Sequence, residues 1–131
     1  MAEITGPFVL IVEDDPFLSN IYQWKLAKEQ VPAEIVSNGN EALDFLSQGK
    51  KPALIILDLI MPGKDGFETL KAIKSTPELR DIPVIVLSNL SQEEDEQQVL
   101  DMGAEEFLVK INTPPQAIVD RIKSVLAKVT E

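Results

Sequence analysis

Neither cysteine nor histidine occurs anywhere in the 131 residues. Without thiols there is no disulfide framework, thiol nucleophile or thiolate metal site. Without imidazole there is no phosphohistidine, no imidazole base and no histidine-liganded zinc. Positive charge is scarce too: 12 Lys and Arg stand against 22 Asp and Glu, a net charge of -10. A chain this acidic repels nucleic acid and anionic membrane, so neither is expected as a direct partner. Long apolar runs are missing. The longest, Phe8 to Val12 and Ala53 to Leu57, fall far short of the ~20 residues that span a bilayer. The start, Met1 to Pro7, lacks the basic region and apolar stretch of a signal peptide, and a cytoplasmic location is expected. No repeat, low-complexity tract or Gly/Ser linker interrupts the chain. With 44% apolar and 26% charged residues, a single globular domain over 1–131, with its core at about 8–129 and no output domain, is expected.

What is present is a set of short, β-branched apolar runs: Phe8–Val12, Ala33–Val36, Ala53–Leu57, Val84–Leu87 and Phe107–Val109. Most lack alternation, as strands covered on both faces must. Between them lie stretches of helical spacing, including Leu18, Ile21, Tyr22 and Leu26, and Ile118, Ile122, Val125 and Val129. Asn38 with Glu41, Asp65 with Glu68, Ser91 with Glu94 and Thr113 with Gln116 have capping-box spacing. Asp15 before Pro16 predicts another helix start, and Gly49 and Gly103 predict two stops. The acids of Gln92–Glu96 suit a helix first turn through the macrodipole. Five strands alternating with five helices predict an α/β fold, a doubly wound parallel sheet with helices on both faces.

Ligands of such sheets bind at the carboxyl ends of the strands. There the sequence places Glu13, Asp14 and Asp15 after the first strand, Asp58 after the third, Ser88 after the fourth and Lys110 after the fifth. Asp15 is assigned to the helix cap and left out of the site. Two carboxylates ~4 Å apart repel by about 4 kcal/mol at an effective dielectric near 20. The cluster must therefore protonate or hold a cation. Oxygen ligands alone select Mg²⁺ or Mn²⁺. A hard cation beside an amine and a hydroxyl receives phosphoryl oxygens, and a carboxylate there can attack phosphorus.

The segments Val12-Glu13-Asp14-Asp15-Pro16, Leu57-Asp58-Leu59-Ile60-Met61-Pro62-Gly63-Lys64-Asp65-Gly66, Val86-Leu87-Ser88 and Gly103-Ala104 with Phe107-Leu108-Val109-Lys110 resemble the receiver domain of two-component response regulators, in its stand-alone, chemotaxis-regulator-like form. The resemblance runs from Phe8 to about Val129 and implies a flavodoxin-like sheet of order 2-1-3-4-5. It implies that Asp58 is the phosphoacceptor and that Asp14 ligates Mg²⁺ (or Mn²⁺) directly, with Glu13 acting through water and Ile60 through its carbonyl. It further implies that Lys110 pairs with the phosphoryl group, that Ser88 bonds it, and that Phe107 is the aromatic switch residue. Core packing of Phe107 is an equally open reading of that position.

Two departures stand out. The family usually has Pro after the Lys, in a cis peptide, whereas Ile111 stands here. A cis bond to Ile costs about 2.5–4 kcal/mol, so a trans bond and a reshaped loop are expected. Ile60 and Leu90, two residues beyond Asp58 and Ser88, cannot orient a hydrolytic water. Slow self-dephosphorylation is expected, sped up by Ile60→Asn or Leu90→Glu. The functional expectation is a phosphorylation-dependent signalling switch rather than a metabolic enzyme, catalysing only its own phosphorylation and hydrolysis. It would take its phosphoryl group from a sensor histidine kinase or histidine phosphotransferase. It would then control a downstream protein through the fourth helix, fifth strand and fifth helix. The alternative is a degenerate receiver that docks without phosphorylation. A haloacid-dehalogenase-type phosphatase is disfavoured by Ile60, where that family has a second Asp. Three acids after the first strand argue against a flavin phosphate site.

Overall fold

The structure is a computed structural model and describes residues 7–59, 66–88 and 93–129. In chain order the elements are β1 (Val9–Val12), α1 (Pro16–Lys28), β2 (Ala33–Val36), α2 (Gly39–Ser47), β3 (Leu54–Asp58), α3 (Gly66–Ser75), β4 (Val84–Ser88), α4 (Glu93–Asp101), β5 (Glu106–Val109) and α5 (Pro115–Val129). The strands form one parallel sheet of order β2-β1-β3-β4-β5. Fold class and strand order are those the sequence implied.

Alternation within the strands divides the core in two. Leu10, Val12, Ile55, Leu57, Val84 and Val86 pack with α2, α3 and α4 through Ala42, Leu46, Leu70, Ile73 and Val99. Val9, Ile11, Leu54, Ile56, Ile85 and Leu87 pack on the other face with Tyr22 and Leu26 of α1 and Ile118, Ile122 and Val125 of α5. Both faces of β1, β3 and β4 are covered, which is why those segments read as unbroken apolar runs. Their polar neighbours are left to collect at the strand ends.

The helix boundaries follow the local chemistry in most places. Asp15 accepts a hydrogen bond from the Phe17 N–H at 2.9 Å, with Pro16 opening α1. Asn38 accepts from the Glu41 N–H at 2.9 Å, while the Glu41 carboxylate accepts from the Ser37 N–H rather than from the cap residue's own. Gly49 and Gly103 take φ of +92° and +108° just past α2 and α4. The pairing of Thr113 with Gln116 is corrected. α5 begins at Pro115, the Thr113 hydroxyl donates backwards to the Val109 carbonyl, and the Gln116 side chain joins Lys25 and Asp120. Proline at the first helical position has no N–H for a cap to satisfy, so the hydroxyl goes elsewhere. The caps expected at Asp65 and Ser91 lie outside the described residues.

Candidate functional site

β1 and β3 are neighbours, and Val12 is in register with Leu57. The next residues, Glu13 and Asp58, therefore stand side by side at the carboxyl edge. Lys110 follows β5 directly and reaches across the sheet. Its Nζ lies 2.8 Å from Glu13 Oε1 and 2.8 Å from Asp58 Oδ2. The two carboxylates are buried, with side-chain exposures of 2% and 7%. Burial alone would lower the Lys110 pKa, but the hydrogen bonds and charges of Asp58 and Glu13 outweigh it and hold it above its ordinary value. Glu13 is pushed up, first by burial and also by Asp58, although Lys110 and the Asp15 N–H pull the other way.

Asp14 is exposed and turns its carboxylate to the same place. One oxygen each from Glu13, Asp14 and Asp58 lies within 4.8 Å of the others. Three hard oxygen donors at that separation, two of them buried, fit a divalent cation of the Mg²⁺ type. A cleft of about 460 Å³ lies beside Glu13 and Asp14 and is lined also by Ser19, Asn20, Gln23 and Ser37 among others. The carbonyl of Ile60, expected as a further ligand, and Leu90 lie outside the described residues.

Ile111 does not spoil the Lys110 geometry. No cis peptide occurs among the described residues, and Lys110–Asn112 form a 3₁₀ turn closed by the Thr113 N–H on the Lys110 carbonyl. Ile111 is 83% exposed, so the turn carries its side chain away from the acids. Ser88 is fully buried at the end of β4. Phe107 is half-buried and packs against the α2–α3–α4 core, on the face opposite to Tyr22.

Tyr22 is a neighbour that the sequence did not announce, since it read only as part of the α1 apolar stripe. It is the chain's single tyrosine, 2% exposed, and interacts electrostatically with Glu13, Lys110, Asp58 and Asp15. Burial first, then the Glu13 charge, pushes its phenol up to about 12 from 10.0. A folded pKa above the unfolded one contributes stability that is complete below pH 10.0 and lost as pH rises through about 12. Ultraviolet titration of the native protein should give one phenolic transition near pH 12. A midpoint at the ordinary value would show that Tyr22 is neither buried nor under the influence of the Glu13 charge.

Residues 9–123 match the family described as the response regulator receiver domain. The chain is 30% identical over 122 residues to the phosphate regulon transcriptional regulatory protein PhoB of Rhizobium meliloti, covering 93% of this chain and 53% of that protein. It thus spans about half the length of that regulator. Among solved structures, the phosphorylated cyanobacterial phytochrome response regulator RcpA superposes with a TM-score of 0.81 and 34% identity, over 94% of this chain and 95% of that one. The Mn²⁺-bound form of response regulator Rcp1 gives a TM-score of 0.78 and 32% identity, over 91% and 93%. With this fold, these strand-end residues and these matches, the chain belongs to the response regulator receiver domain family.

Proposed function

We propose that this receiver domain is a phosphorylation-dependent switch whose acceptor is Asp58. The observation that carries the reading is the 2.8 Å approach of the Lys110 amine to both Asp58 and Glu13, with Asp14 beside them. An Asp58 oxygen attacks the phosphorus of a phosphohistidine on a sensor kinase or histidine phosphotransferase. The O–P bond forms as the P–N bond breaks, and the imidazole leaves with a proton. Lys110 then moves its hydrogen bonds to the phosphoryl oxygens, and the Ser88 hydroxyl bonds them as well; the position of Ser88 one residue past Leu87, the register partner of Asp58, supports this role. A magnesium or manganese ion held by Glu13, Asp14 and Asp58, with the Ile60 carbonyl, would supply positive charge to those oxygens. The Mn²⁺-bound and phosphorylated relatives support both parts of the reading.

Engagement of Ser88 draws on the end of β4, next to α4 and β5, where Phe107 packs. The partner face is accordingly α4, β5 and α5, and the output is a changed affinity for a downstream protein. The chemistry is self-modification, not metabolic turnover. No described helix is long and apolar enough to cross a membrane. A cytoplasmic site of action fits a kinase-fed switch.

Incubation with Mg²⁺ and acetyl phosphate should add one phosphoryl group by intact-mass spectrometry, and Asp58→Ala should abolish the gain. An unmodified parent mass would overturn this reading in favour of a docking module that works without phosphorylation.

A further inference from the structure

We propose that Lys74 is a positioning residue: it fixes the C-terminal end of α4, so that the switch moves α4 as a swing about residues 102–104. Lys74 lies in the last turn of α3, far along the chain from the acids, and ties three segments together. Its Nζ donates to the carbonyls of Arg80 and Ile82, both at 2.9 Å, in the turn that leads into β4. Its methylene stem runs under Gly103, where an added Cβ would stand 3.3 Å from Lys74 Cδ. Only a residue without a side chain takes φ +108° over that stem without strain.

The end of α4 is closed just there. The N–H groups of Met102, Gly103 and Ala104 bond to the carbonyls of Gln98, Leu100 and Val99, and the Glu105 N–H bonds to Val84 at 2.8 Å. Val99 is fully buried beneath this turn. Burial works against the Lys74 charge, and the nearby charges of Glu105 and Asp81 support it. The opposite end of α4 starts at Glu93, downstream of Ser88, the residue that moves toward a phosphoryl group in the reading above. One end of the helix is therefore held by β4 and α3 together, and the other follows the switch. The swing rests on the phosphorylation reading, whereas the anchoring does not.

Hydrogen exchange read by mass spectrometry tests both parts on the full chain, with and without Mg²⁺ and acetyl phosphate. Lys74→Met keeps the stem and removes both hydrogen bonds. It should raise exchange at residues 102–105 about tenfold in the unphosphorylated protein, while Lys74→Arg should restore protection by returning a donor. In the parent protein, phosphorylation should speed exchange at 93–97 several-fold more than at 102–105. Unchanged exchange at 102–105 in Lys74→Met, or no rescue by Arg, would overturn the anchor. Equal loosening of both ends on phosphorylation would overturn the swing. If intact mass shows no phosphoryl group, the proposed function and the swing fail together, and the Lys74→Met comparison still decides the anchor.

Discussion

Lys110→Met should destabilise the metal-free protein by about 3–5 kcal/mol at neutral pH, because it leaves two buried carboxylates facing each other without a cation. The Lys110 amine lies 2.8 Å from each, and both carboxylates are buried. For a domain of this length the loss corresponds to a melting temperature roughly 10–20 °C lower. Methionine retains most of the stem volume, so the effect reads charge more than packing. The pH dependence has a definite sign. Glu13 in the fold is already pushed above its ordinary 4.5 by burial, and losing Lys110 removes the contact that opposes this. A carboxyl with a raised folded pKa costs nothing below 4.5 and costs progressively more as pH rises through its folded value. The gap between parent and variant should therefore narrow as pH is lowered toward 4.5. Millimolar Mg²⁺ should recover part of the loss at neutral pH by replacing the missing positive charge. A variant melting within a few degrees of the parent across this range would show that the ammonium does not hold the acids together.

Gly66→Ala is expected to be the most damaging small substitution. The chain leaves β3 through Leu59 and returns at Gly66, whose N–H donates to the Leu59 carbonyl at 2.8 Å. A Cβ on Gly66 would overlap Leu59 Cα and stand 2.5 Å from the Asp58 carbonyl oxygen. Both obstacles are backbone and cannot rotate away, so the cost should reach the upper end of overpacking penalties, about 3 kcal/mol. The displaced backbone carries Asp58 itself. A shift of ~1 Å in a reacting group can slow chemistry about 100-fold, and phosphorylation by acetyl phosphate should fall by that order. Gly49→Ala makes a useful contrast. Its φ of +92° is strained for alanine, but nothing lies within 4 Å of the added carbon. That variant should lose roughly 1 kcal/mol and keep its phosphorylation rate. If the two variants phosphorylate equally fast, the contact beneath Asp58 does not position the site.

The sequence by itself determined the order of elements and the residues at the strand ends. β1, β3 and β4 are buried on both faces and so cannot hide their identity among polar residues, and the caps at Asp15 and Asn38 mark where helices begin. It also nominated Glu13, Asp14, Asp58 and Lys110 as a cluster, since parallel strands bring their carboxyl ends to one edge. Local spacing failed at Thr113 and Gln116, where a proline at the first helical position moved the cap, the Thr113 hydroxyl turned back to the Val109 carbonyl and Gln116 reached across to Lys25. Only the tertiary structure decided that Lys110 bridges Glu13 and Asp58 rather than pointing outward, and that Ile111 is accommodated by a trans 3₁₀ turn. The electrostatic tie of buried Tyr22 to Glu13 and Asp58, Gly66 against the Asp58 backbone and Lys74 under Gly103 were likewise invisible beforehand. Periodicity says which face of an element is apolar, but not which distant polar group will be buried against it. That choice is made when the helices close over the sheet, and it gives otherwise ordinary residues their roles.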